Sequence, residues 1–238
     1  MNFNGINMKN RILLIGLFIV LTKILDAQTV YLTENEKDIY WQPNTQIDFL
    51  DYQSLNKEEC INYNEKYGLT MCSSIGIRGV VDIPKKRGKY DKFYIAPVFC
   101  KNCSCLLSKD SLSLQVDRLL FDVAEFCTRN ARKELLEMQK EMNSDNTYSM
   151  FFITVKNKWD EKMHSISGTV IREILIEKKV NAYTSWRKTT DDVLQQTNDY
   201  ATHPVDCYRF ILNEPLEKGY KMAINIMGDM RNKKEEKE

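Results

Sequence analysis

Histidine is scarce in this chain. Its 238 residues include two, His164 and His203, which are far apart in sequence. A helix-borne pair of histidines for zinc is therefore excluded. Neither sign of charge is in excess, with 34 Lys and Arg against 33 Asp and Glu. That leaves no electrostatic footprint for nucleic acid and no polybasic patch for an anionic membrane. The chain also lacks a Gly-rich phosphate loop, a Gly-x-Ser-x-Gly elbow, a paired-cysteine zinc ribbon and an internal repeat, so those sequence signatures lend no support to the corresponding functions. The longest purely apolar stretch, Ile12 to Leu21, is about half of what a membrane-spanning helix needs.

That short stretch has the build of a secretory signal. Lys9 and Arg11 precede it, and Asp26-Ala27-Gln28 offers a cleavage point after Ala27. The expected organisation is a signal peptide over 1–27, a single domain over 28–228 and a charged disordered tail over 229–238. Met8 is an alternative start, since the basic residues follow it directly. Removing 1–27 takes away Lys9, Arg11, Lys23 and Asp26 and leaves acidic and basic residues almost balanced. The expectation is an exported protein, periplasmic or extracellular, with no membrane insertion after cleavage.

All seven cysteines, Cys60, Cys72, Cys100, Cys103, Cys105, Cys127 and Cys207, lie beyond residue 27. In an oxidising compartment they read as disulfide cysteines with an odd thiol left over. Connectivity stays open. The dense Cys100-Lys101-Asn102-Cys103-Ser104-Cys105 run also admits a metal, but no second ligand pair stands at motif spacing.

Residues from about Thr29 to Phe99 have strand character. Ile39-Tyr40-Trp41 and Ile47-Asp48-Phe49 alternate briefly. Ser73 to Val81 and Lys92 to Phe99 are stronger strands, rich in β-branched and aromatic residues, joined by a basic turn at Pro84 to Lys89. From Ser111 to Met142 the pattern turns helical, with Val116, Leu119, Leu120, Val123, Cys127, Leu135 and Met138 on one face. Asn143 to Asn146 should break it. Further helices are expected over roughly 148–165 and 168–200, followed by a turn at His203-Pro204 and a shorter helix or irregular segment. Strands first and long helices after define an α+β fold, a small N-terminal antiparallel sheet packed on long C-terminal helices.

The most informative stretch is Val116-Asp117-Arg118-Leu119-Leu120-Phe121-Asp122-Val123. Val116 and Leu120 are one turn apart and Asp117 follows the first. Zinc hydrolases place two histidines and a water-activating carboxylate at this spacing. Aliphatic pairs at that spacing are also ordinary core packing.

Several segments, in order, resemble a family of exported bacterial zinc-dependent-protease-like proteins of unknown role. Ile39-Tyr40-Trp41 and Ile47-Asp48-Phe49-Leu50-Asp51-Tyr52 echo its Ile-x-Trp and Leu-x-Trp-x-Asp-Phe motifs. Phe99-Cys100-Lys101-Asn102-Cys103-Ser104-Cys105 echoes its Phe-Asp-Lys-Asn-x-Ser-Trp. Phe121-Asp122-Val123 matches the end of its His-Glu-Gln-x-His-Phe-Asp-Ile signature, and Thr202-His203 its later Thr-x-His. The resemblance covers roughly 39–205 and implies a zincin-like fold.

It also implies a lost site. The ligand histidines fall on Val116 and Leu120 and the general-base glutamate on Asp117, leaving His203 as a remnant ligand. One histidine cannot hold catalytic zinc, which needs three protein ligands. The resulting expectation is a non-catalytic pseudo-metalloprotease without cofactor, binding protein or peptide or serving as a structural envelope protein. No nucleic-acid partner is expected, and the oligomeric state is not legible. The rival reading is an active hydrolase with a relocated site using His203 and Asp117, with Cys127 or Cys207 as a thiol partner. A hard-cation site at Asp117, Asp122 and Glu125 is a third, weaker option.

Overall fold

The computed structural model describes residues 31–143 and 147–223; the expected signal peptide, the charged tail and Ser144 to Asn146 lie outside them. The fold is α+β. Strand β3 (Ile75–Pro84) turns back into β4 (Lys92–Cys100), pairing from Ile75 opposite Phe99 to Asp82 opposite Lys92. On the outer side of β4 lies β1 (Asp38–Tyr40), and on the outer side of β3 lies β6 (Tyr220–Met222), giving an antiparallel sheet of order β1-β4-β3-β6. A two-stranded ribbon pairs β2 (Met71–Cys72) with β5 (Cys105–Leu106).

β4 is an almost unbroken apolar run because both its faces are covered. Ile95, with Ile77 and Val81 of β3, packs on Ala124, Cys127 and Ala131 of helix α2 (Ser111–Met142) and on Phe152 and Val155 of α3 (Thr147–Ile171). Ala96, Val98 and Tyr40 face the other way, onto Cys207 and Phe210 of α5 (Pro204–Leu212). The rings of Tyr40 and Phe210 stack at 5.5 Å. Gly79 of β3 lies tight against α3, where a Cβ would run into the ring of Phe152. The described residues from Leu32 to Ala223 fall in one compact unit.

α2 runs over the span that its periodicity predicts. Asp110 caps its start, accepting hydrogen bonds from the Leu112 and Ser113 amides, and Asn143 ends it in the left-handed region with φ 45°. The later helices are divided differently from expectation. α3 passes straight through Gly168, whose missing side chain would meet open space. A glycine there costs about 1 kcal/mol, too little to stop a helix anchored by Met163 and Val170 on either side. The break comes instead after a π turn at Arg172–Ile176, where Lys178 and Asn181 take φ of 49° and 61°, before α4 (Ala182–Gln196). In the stretch read as strands, α1 (Glu58–Tyr67) is a helix, closed by left-handed Gly68. Its only buried residue is Cys60. With no apolar stripe it carries no helical signature. Likewise Phe49–Asp51 is a single 3-10 turn, with the Asp48 side chain accepting from the Phe49 amide.

Two disulfides form. Cys60–Cys105 ties α1 to β5, and Cys100–Cys103 closes the turn that joins β4 to β5. Three thiols remain rather than one: Cys72, Cys127 and Cys207.

Candidate functional site

Every residue of the signature-like stretch sits in the first half of α2, where the helix is buried on most sides. Val116 and Leu120 are 0% and 4% exposed and join Leu119 in a cluster with Val170, Ile174 and Ala182, contributed by α3, the π turn and α4. Each such side chain contributes about 1.5–3 kcal/mol by leaving water. The two positions that would hold zinc therefore face the underside of three helical segments. Among the described residues, no group of three or more His, Cys, Asp and Glu is placed to hold a metal ion. The donor set does not fit zinc.

Asp117 points elsewhere. Its carboxylate accepts hydrogen bonds from Tyr52 Oη at 2.5 Å and Ser73 Oγ at 2.7 Å. Burial dominates its electrostatics and pushes its pKa up to about 6, the two hydroxyl donors pulling the other way. Tyr52 and Asp117 belong to two of the segments that carry the resemblance, and the fold brings them into contact.

His203 stands at the N-cap of α5, exposed, its amide donating to Asp206 Oδ2 at 3.2 Å. Asp117 lies within α2 against Tyr52 and Ser73, so the residues of a relocated His203–Asp117 site keep separate partners. Cys127 and Cys207 offer no activated nucleophile for such a site. Cys207 Sγ is 3.7 Å from the backbone carbonyl of His203, not its ring. Burial pushes both Cys127 and Cys207 up to about 12, the wrong direction for thiolate chemistry at neutral pH. His164 is exposed on α3, its Nδ1 2.7 Å from the Asp160 carbonyl. A cleft of about 650 Å³ at the basic β3–β4 turn, lined by Lys85, Lys86, Arg87 and Lys89, includes none of these residues in its lining.

A different pattern on α2 organises this region. Arg118, Asp122, Glu125, Arg129 and Arg132 recur at steps of four and three, so they share one helix face. Arg118 Nε donates to the Ile47 carbonyl at 2.8 Å. Asp122 accepts from Trp41 Nε1 at 2.7 Å and from Arg187 of α4 at 2.6 Å. Glu125, fully buried, pairs with Arg129 at 2.7 Å and accepts from both the amide and the hydroxyl of Thr202. Arg129 donates to the Leu194 carbonyl and stacks over the Trp41 ring at 5.3 Å. Arg132 binds the carbonyls of Tyr200 and Ile95 and the carboxylate of Asp206.

Four of the five use backbone groups: the Ile47 carbonyl, the Leu194 carbonyl in the last turn of α4, the Tyr200 carbonyl and Thr202 amide beyond it, and the Ile95 carbonyl of β4. The stripe is a stitch that satisfies polar groups of loops lying against α2. It engages Asp122 and Glu125, and among the described residues neither joins Asp117 in a cation site. Sequence reading noticed Asp122 and Glu125 but missed the stripe, because charges at this spacing look like a solvated helix face. The available signal was their position on the flank of a helix whose remaining faces are apolar.

The raised carboxyl of Asp117 has a measurable consequence. Between about pH 4 and pH 6 the folded residue holds a proton that the unfolded chain has released. Stability from this group is therefore greatest below the ordinary carboxylate value of 3.8, falls as pH rises towards 6, and is level above it. The span is at most about 3 kcal/mol. Asp117→Asn is expected to flatten that slope when its urea unfolding is compared with the parent at pH 4, 5, 6 and 7. Parallel slopes would contradict the assignment.

No family model, curated protein or solved structure matches this chain.

Proposed function

We propose that this chain is an exported, non-catalytic relative of the zincin-like family, acting as a protein- or peptide-binding or structural protein of the envelope. The observation that carries this reading is the placement of Val116 and Leu120 in a closed aliphatic cluster, beside a carboxylate held by Tyr52 and Ser73. Kinship is supported by contacts between the segments that carry the resemblance: Trp41 with Asp122, Tyr52 with Asp117, and Thr202 with Glu125. Export is supported by the two disulfides, which persist in oxidising compartments. No helix among the described residues is long and apolar enough to cross a membrane. A surface for a partner is offered by the loop before α1, where Leu50 and Leu55 are 80% and 97% exposed.

The test is incubation of the purified protein, with and without added zinc, with a broad peptide mixture read by mass spectrometry. The expected result is no cleavage in either condition. Cleavage that Asp117→Asn or His203→Ala abolishes would overturn the proposal in favour of a hydrolase.

A further inference from the structure

Three of the cysteines lie together in a way that the two disulfides do not exhaust. In the β2–β5 ribbon Cys72 stands directly opposite Cys105. Leu107 N donates to the Thr70 carbonyl at 2.8 Å, so the alternation of an antiparallel ladder makes Cys72 and Cys105, two residues along, a hydrogen-bonded pair. Such pairs have Cα atoms about 5.5 Å apart and side chains on the same face. Disulfides span Cα separations of about 4.4–6.8 Å. Cys105 is already bonded to Cys60 across 6.1 Å. Cys72 reaches towards the same helix start, its Sγ 4.0 Å from the carboxylate of Glu59, the neighbour of Cys60 in the chain. Cys105 thus has one cysteine bonded to it and a second, reduced one directly across the ribbon, at a Cα spacing that disulfides span.

We propose that Cys60, Cys72 and Cys105 form an intramolecular thiol–disulfide exchange site, with Cys72 as nucleophile and the Cys60–Cys105 bond as its substrate. The Cys72 thiolate attacks Cys105 Sγ. The Cys72–Cys105 bond forms as the Cys105–Cys60 bond breaks, and Cys60 leaves as a thiolate that takes up the proton Cys72 has lost. The number of disulfides is unchanged, so no oxidant or reductant is required.

The exchange moves one element. Cys60 is the only buried residue of α1. After exchange the β2–β5 ribbon is stapled across itself and α1 loses its covalent tie to β5. Left-handed Gly68 stands at the end of α1 where it would hinge, and Ile61, Tyr63 and Tyr67 are already partly exposed along it. The rate is set by the Cys72 thiolate. Burial, with the negative charges of Glu59 on α1 and Asp117 on α2 beside it, pushes this thiol up to about 11. Lys57, at the start of α1, is engaged with the Leu106 carbonyl. Exchange is therefore slow at neutral pH and should accelerate about tenfold per pH unit below 11.

Trypsin separates the players. Cys60 falls in 58–66, Cys72 in 67–78, Cys100 in 93–101, and Cys103 with Cys105 in 102–109. The folded protein, held without added thiol at pH 7, 8 and 9, is sampled over a day, blocked with N-ethylmaleimide, digested and mapped by mass spectrometry. The expected result is transfer of the label from 67–78 to 58–66, with 67–78 becoming disulfide-linked to 102–109. Transfer should be about tenfold faster at pH 9 than at pH 8, faster again in Glu59→Gln, and absent in Cys72→Ser. In Cys60→Ala, air oxidation should link Cys72 to Cys105. Label that stays on 67–78 at pH 9, label that spreads to 93–101 as general scrambling would produce, or a Cys60→Ala protein whose Cys105 remains free would each overturn the proposal.

Discussion

Asp82→Ala should destabilise this protein by about 3–5 kcal/mol, and lower its thermal midpoint by roughly 6–20 °C for a chain of this size. Asp82 and Arg209 form a two-pronged ion pair, Nε and Nη2 of the arginine donating at 2.8 and 2.7 Å. Both side chains are sealed, at 2% and 1% exposure, and Arg209 is the largest fully buried side chain of the described residues. The pair fastens α5 to the outer face of the sheet. The attraction within such a pair does little more than offset the desolvation of two charges. The large effect of the single substitution comes from leaving the guanidinium buried and unpaired. This gives the prediction a second arm: Asp82→Val combined with Arg209→Met should recover most of the loss, measured by urea unfolding. A double variant as unstable as Asp82→Ala would show that the pair is itself strongly stabilising.

Glu125→Ala should cost a similar amount, again about 3–5 kcal/mol, with a more local signature. The carboxylate is fully buried and serves three donors: Arg129 Nε, the Thr202 amide and the Thr202 hydroxyl. Removing it orphans a cation in α2 and two polar groups in the segment between α4 and α5. Amides over 194–206 should therefore lose hydrogen-exchange protection before those of the β3–β4 hairpin. Glu125→Gln keeps an acceptor oxygen but turns an NH₂ towards donors, so it should fall between alanine and the parent. A loss below about 1 kcal/mol for alanine would mean that water replaces the carboxylate, and the stitching role of the α2 stripe would be wrong.

Those two residues illustrate what was legible in the chain and what was not. β3, β4 and the whole of α2 could be read directly, since each carries its own periodicity and each is long enough to show it. The second cover of the sheet, α5, was not legible, because it depends on Tyr40, Ala96 and Val98 meeting Cys207 and Phe210. α1 was illegible because Cys60 alone anchors it and the anchor is a covalent bond to a residue 45 positions away. The boundary between α3 and α4 was misplaced because a local cue, Gly168, was outweighed by packing on either side of it. The site was half legible. Val116, Asp117 and Leu120 were singled out by spacing. What their side chains face could not be read, because it is decided by elements 44 to 66 residues distant: Tyr52, Ser73, Val170, Ile174 and Ala182.

The start of α2 is packing at the positions where the resemblance would place a metal site. This is tested most directly by the zinc content of the purified protein, measured by elemental analysis after equilibration with excess zinc and exhaustive dialysis, alongside thermal unfolding with and without a chelator. Far less than one zinc per chain is expected, with the same unfolding midpoint in both conditions, since Val116 and Leu120 supply no donor and Asp117 is already satisfied. One retained zinc per chain that the chelator removes, with a fall in the midpoint and loss of the ion in His203→Ala or Asp117→Ala, would contradict it.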